Sequence, residues 1–171
     1  MWTYKKKVLY IIYTIFAKWL PQSSHSLISK KIRFIFGKSI MDECGENVNI
    51  EKGAVFSPTV KIGNNSGVGI KSEIYGYATI GNDVMMGPEV VIYTQNHNHN
   101  CDDSFYKQGY EDHKFVKIGD NVWIGRRAMF MPGSEVGNNV VVSAGSVVTK
   151  KFGNNVIIGG VPARIIKNIE D

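Results

Sequence analysis

A six-residue repeat constrains this chain more than any other feature. Ile50, Phe56, Ile62, Val68, Ile74, Ile80, Met86 and Ile92 stand six apart, and after an interruption the spacing resumes at Ile118, Ile124, Phe130, Val136, Val142 and Val148. A period of six matches neither the 3.6 of a helix nor the two-residue alternation of a lone strand. It matches a short strand followed by a corner, with three hexapeptides closing one triangular coil and coils stacked on each other. Four residues after the large apolar position comes a small or β-branched one: Ala54, Val60, Ser66, Ser72, Ala78, Val84 and Val90, then Val122, Ala128, Ser134, Val140 and Ser146. The pattern predicts an all-β solenoid, a parallel β-helix over residues 44–153, with the large residue stacked inward and the small one near a corner. Gly63-Asn64-Asn65, Gly81-Asn82, Gly119-Asp120-Asn121 and Gly137-Asn138-Asn139 supply turn geometry and tolerance of left-handed backbone.

The repeat breaks once. Ile92 and Ile118 are 26 residues apart, which is not a multiple of six. Residues 95–117 must therefore leave the prism as an excursion loop, and a long loop on a rigid scaffold is where function concentrates. Residues 154–171 form a C-terminal coil and tail.

Residues 1–43 read as an N-terminal helical arm. Val8, Ile12, Ile15 and Trp19 share one stripe of a first amphipathic helix, with Leu9, Phe16 and Leu20 beside it. Pro21 ends it, and Ser23, Ser24 or Ser26 caps a second helix over 26–40, whose apolar face holds Leu27, Ile28, Ile32, Ile35 and Phe36. The apolar run after Lys5–Lys7 is shorter than the roughly 20 residues that span a bilayer, and no small-x-small cleavage site follows it. The formal net charge of +5 belongs to this arm: residues 1–41 hold eight basic groups and no acidic one, against twelve and fifteen in the remainder. Such an arm suits either an anionic membrane face or a role as cover for the open end of the solenoid; nucleic acid is not an expected partner. The expected location is the cytoplasm, with peripheral contact at the inner membrane face as an option. Cys44 and Cys101 lack metal-ligand spacing.

Three of the four histidines, His97, His99 and His113, lie in the excursion. Imidazole is the side chain best matched to general-base work near neutral pH. No nucleophile elbow or Ser–His–Asp order is present to carry a covalent acyl-enzyme, so direct transfer to a hydroxyl fits better. His97-x-His99 can chelate, and γ-class carbonic anhydrases use this kind of prism with three zinc-binding histidines. Two of those ligands are five apart, however, and no such pair occurs here, so no metal is expected.

Thr94-Gln95-Asn96-His97 resembles the loop that carries the catalytic histidine in maltose and galactoside O-acetyltransferases. Ile118-Gly119-Asp120-Asn121-Val122-Trp123-Ile124-Gly125 is similar to the coil that follows it. Val142-Ser143-Ala144-Gly145-Ser146-Val147-Val148-Thr149-Lys150 and Gly159-Gly160-Val161-Pro162-Ala163-Arg164 match the C-terminal coils. The resemblance covers residues 44–168. It implies a left-handed prism, a homotrimer with sites between subunits, and transfer of acetyl from acetyl-CoA to a sugar hydroxyl. His97 would be the base, with His99 as its substitute. Trp123 would line the tunnel, the Arg126 amide would face the thioester carbonyl, and the Ala144 amide would hold the pantetheine arm. Thr149, Lys150, Arg164 and Lys167 would meet the nucleotide phosphates. The arm looks more like the branch that modifies capsular or exopolysaccharide sugars. Where sugar-specific relatives carry an acceptor-binding asparagine, this chain has Gly69-Ile70-Lys71-Ser72, which leaves the acceptor open. Enzymes that acetylate a xenobiotic such as a streptogramin share the Asn-His pair, and a non-catalytic trimeric scaffold is the alternative of a different class.

Overall fold

The computed structural model describes residues 3–100 and 103–169. Its body is a parallel β-solenoid with three faces. The first face is six-stranded: Glu43–Cys44, Lys61–Ile62, Ala78–Ile80, Val116–Ile118, Glu135–Val136 and Lys151–Phe152. The second starts with the pair Asn49–Ile50 and Gly67–Val68. It continues through Met85–Met86, Trp123–Ile124, Val140–Val142 and Val156–Gly160, which Ala163–Asn168 joins antiparallel. The third holds Val55–Phe56, Glu73–Ile74, Val91–Ile92, Met129–Phe130 and Val147–Val148. Paired residues are 18 apart in most coils, as in Ile62 with Ile80; across the excursion Ile80 pairs with Ile118, and into the last coil the spacing falls to 16, as in Val136 with Phe152.

Thirteen of the fourteen large apolar repeat residues are buried, and Met86 is partly so. All twelve small or β-branched positions are buried as well. The buried serines hold the corners. Ser66 Oγ donates to the Gly81 carbonyl at 2.7 Å and accepts from the Val84 N–H at 3.0 Å; Ser72 does the same with Gly87 and Val90. Ser134 Oγ has no partner among the described residues, and nothing in the structure accounts for it.

The corner between the first and second faces corrects one detail of the turn chemistry. The left-handed residue there is the second asparagine or aspartate, Asn47, Asn65, Asp83, Asn121, Asn139 and Asn155, with φ from 51° to 56°. The preceding glycines are selected by space instead: a Cβ on Gly63 would lie 2.7 Å from the Gly81 carbonyl carbon. Between them, Asn64, Asn82, Asp120, Asn138 and Asn154 each accept a backbone N–H from the coil before at 2.7–2.9 Å.

Two helices, α1 (Tyr4–Ile15) and α2 (Leu27–Ile40), cover the first coil. Thr3 and Ser26 cap them through side-chain oxygens. The inward side of this arm is not the stripe of Val8, Ile12, Ile15 and Trp19. Leu9, Tyr10, Tyr13, Ala17 and Leu20 pack on the prism, while Val8, Ile12, Ile15 and Trp19 are exposed. The cause is polar. Each coil donates its N–H groups onward and accepts from the coil before, so the carbonyls of the first coil have no preceding coil. Tyr13 Oη donates to the Ala54 carbonyl at 2.7 Å. Arg33, fully buried, donates to the carbonyls of Ile50, Leu20 and Pro21 at 2.6–3.1 Å and to Ser23 Oγ at 3.0 Å. An open solenoid end needs donors as well as apolar cover.

Candidate functional site

Each coil turns through three corners, and two of them differ sharply. Between the third and first faces the corner opens after Ile92 into the excursion. The strand resumes at Val116, two residues before the expected resumption at Ile118, because Val116 takes the buried small position ahead of Ile118. The excursion runs out and back on itself. Glu111 N–H donates to Asn96 O at 2.9 Å, Asn98 N–H to Gly109 O at 3.1 Å, and His97 and Tyr110 form an antiparallel bridge.

At the root of this arm lies a cleft of about 420 Å³ lined by Tyr75, Gly76, Tyr93, Thr94, Gln95, His97, Tyr110 and His113. The His97 ring rests against Tyr110, centroids 4.1 Å apart. Thr94 is buried and organises the wall: its Oγ1 donates to Tyr75 O at 2.9 Å and accepts from Tyr77 N–H at 3.2 Å. Since the hydroxyl proton goes to Tyr75, Oγ1 can only accept in its 3.2 Å contact with His113 Nδ1. Gly76 permits this approach, because at φ +76° a Cβ there would stand 1.9 Å from Thr94 Oγ1. Tyr75 and Tyr93 stack across adjacent coils, 5.7 Å apart and 13° from parallel. A hydrogen bond to Glu73 and burial push the Tyr75 phenol up to about 12.

His99 lies outside this cleft. Its ring is 74 % exposed, 3.8 Å from Glu111 and 3.3 Å from the His97 carbonyl. The second imidazole of the cleft is His113. Among the described residues no three His, Cys, Asp or Glu side chains converge as metal ligands.

The corner between the second and third faces has the same four-residue length in every coil. It places Lys52, Ile70, Pro88, Arg126 and Ala144 in one column. At Arg126 and Ala144, one coil apart, the N–H has no acceptor among the described residues. Their neighbours do: Gly125 and Arg127 donate to Val142 and Pro88, and Ser143 and Gly145 to Ile158 and Arg126. Gly125 keeps the two coils close, since a Cβ there would lie 2.4 Å from Ala144 N. The Arg126 and Arg127 side chains both bind Glu89 at 2.6 Å, holding its carboxyl below the usual range through those hydrogen bonds. Trp123 is exposed on the second face, two residues before this corner.

The remaining sequence candidates divide between the two regions. Thr149 and Lys150 are exposed on the same corner as the excursion, on a later coil, with Lys150 Nζ over Phe152 at 5.4 Å. Arg164 and Lys167 lie on Ala163–Asn168, paired with Gly159 and Ile157 at the end of the second face. Neither Arg126 nor Ala144 lines the His97 cleft, and the third face of the prism separates the two corners.

Comparison with known proteins adds the following. The family described as bacterial transferase hexapeptide (six repeats) matches residues 115–150. A galactoside O-acetyltransferase from Escherichia coli K12 is 35% identical over 139 residues, covering 78% of this chain and 67% of that enzyme. The crystal structure of a maltose O-acetyltransferase from Clostridium difficile 630 superposes with a TM-score of 0.81 at 30% identity, covering 98% of this chain and 87% of that one. A galactoside acetyltransferase in complex with coenzyme A superposes with a TM-score of 0.82 at 29% identity, covering 97% and 80%.

Proposed function

This chain belongs to the hexapeptide-repeat O-acetyltransferases of the galactoside and maltose type, and on that premise we propose that it moves acetyl from acetyl-CoA directly to a sugar hydroxyl, with His97 as general base. The galactoside enzyme bound to coenzyme A supports the donor. The sugar acceptor rests on the galactoside and maltose relatives and on the tyrosine-walled cleft, whose stacked rings offer an apolar surface to one side of a sugar. A surface polysaccharide or its precursor is the acceptor we favour.

In this reading the His97 imidazole takes the acceptor hydroxyl proton as the oxygen attacks the thioester carbonyl. The developing oxyanion receives the Arg126 N–H, a donor already fixed by the corner and so free of reorganisation cost. The C–S bond then breaks, and the departing thiolate takes the proton from His97. The Ala144 N–H, one coil further on, binds an amide of the pantetheine arm, and Trp123 lines its path. Thr149, Lys150, Arg164 and Lys167 pair with the phosphates.

One observation carries the proposal: His97 and the N–H groups of Arg126 and Ala144 sit on different corners of the same prism. They form one site only where the excursion corner of one copy faces the amide corner of another, which supports a homotrimer with three shared sites. Thr149 and Lys150 divide from Arg164 and Lys167 in the same sense. The test is His97→Ala. We expect turnover to fall roughly 10²–10⁴-fold, the usual worth of a general base, with oligomeric state and coenzyme A affinity unchanged. Full turnover in that variant would remove His97 from the role, and loss confined to His113→Gln would transfer it to the other imidazole of the cleft.

A further inference from the structure

The helical arm leaves an apolar surface that the prism does not cover. On α1, Tyr4, Val8, Ile11, Ile12 and Ile15 are exposed, Ile15 at 73 %, and Phe16 and Trp19 extend the surface at 55 % and 58 %. At about 100° per residue these α1 positions form one continuous stripe. Lys5 and Lys7 flank it on opposite sides. Lys6 turns inward instead, to Asp42 at 2.8 Å. The outward face of α2 repeats the mixture, with Leu27, Ile28 and Ile35 exposed beside Lys31.

The charge on this arm is largely uncompensated. Of the eight basic groups in residues 1–41, Arg33 is consumed by carbonyls of the cap, and Lys6 and Lys38 pair with Asp42 and Glu46. Lys5, Lys7, Lys18, Lys30 and Lys31 have no carboxylate partner among the described residues. A second copy of this chain would bring its own Lys5, Lys7 and Lys31 to the same surface, and like charge opposes that pairing. An anionic surface with an apolar interior satisfies both halves of the pattern at once: cations meet headgroups, and Ile, Phe and Trp side chains enter the acyl boundary.

We propose that the outward face of the N-terminal helical arm docks the enzyme on an anionic phospholipid bilayer, with α1 lying in the interface plane. No helix among the described residues is long and apolar enough to cross a membrane, so the contact is peripheral. It would hold the catalytic prism beside acceptors anchored in the same leaflet.

The test is flotation of the full chain with phosphatidylcholine vesicles and with vesicles that also contain phosphatidylglycerol. We expect the protein to float with the anionic vesicles and to stay in the soluble fraction with the neutral ones, less binding surviving at high salt. Lys5→Glu with Lys7→Glu should lower binding about tenfold or more, and Ile11→Glu with Ile15→Glu should lower it comparably while leaving oligomeric state and solution turnover unchanged. Equal recovery in the soluble fraction with both vesicle types overturns the proposal. So does a change of oligomeric state in the isoleucine variant, which would assign the face to another copy of the chain, or unchanged flotation in both variants.

Discussion

The two corners of the prism that carry the candidate site are built in opposite ways. The corner of Arg126 and Ala144 is the same turn repeated in every coil, and it offers main-chain groups: N–H groups that the ladder leaves without acceptors among the described residues. The corner of His97 is opened by an insertion, and its chemistry is side-chain: two imidazoles, a buried threonine and a tyrosine stack around a cleft. A repeating scaffold thus provides oriented amides as a by-product of its geometry. The imidazoles are no such by-product: both histidines of the cleft lie outside the repeat. They arrive where the chain is let out of register and brought back.

That contrast can be broken at either corner. The largest effect is expected from excising residues 94–113, which returns Ile92 and Ile118 to a spacing of six. A surface excursion costs a solenoid little stability, so the shortened chain should fold, with the circular dichroism of the parent, and lose all detectable acetyl transfer. An unfolded product would show instead that the excursion is part of the scaffold.

A smaller effect is expected at the other corner. Arg126 occupies the turn position that Pro88 occupies one coil earlier, followed in each case by a residue at φ 59°. Arg126→Pro therefore suits the backbone and deletes the N–H, whereas Arg126→Ala deletes only the side chain. Steady-state kinetics should give a loss of roughly 10²–10³ in turnover for proline, the usual worth of one oxyanion donor, and turnover near the parent's for alanine. Similar losses in both would move the contribution from the amide to the guanidinium.

The same contrast governs what could be read in advance. The repeat and its inward residues were legible because burial in a solenoid imposes a period on the sequence, and the excursion was legible as the one violation of it. The Tyr75–Tyr93 stack also lay within reach, being 18 residues and therefore one coil apart. His113 and Tyr110 did not: they return to the cleft through a hairpin whose pairing follows no period. The inward face of α1 was not legible, for another reason. Hydrophobic patterning selects Val8, Ile12, Ile15 and Trp19, but the open end of the prism selects donors, and Tyr13 and Arg33 supply them.

The central claim is that the imidazole and the amide donors of one site come from different copies of the chain, and mixed assembly tests it most directly. His97→Ala and Arg126→Pro are each expected to be nearly inactive alone. Co-refolded in equal amounts, every mixed trimer should contain one intact site, so turnover should recover to about a quarter of the parent's for a random three-fold assembly. No recovery beyond the more active of the two variants, in samples shown to contain mixed trimers, would place both groups within a single chain and contradict the account.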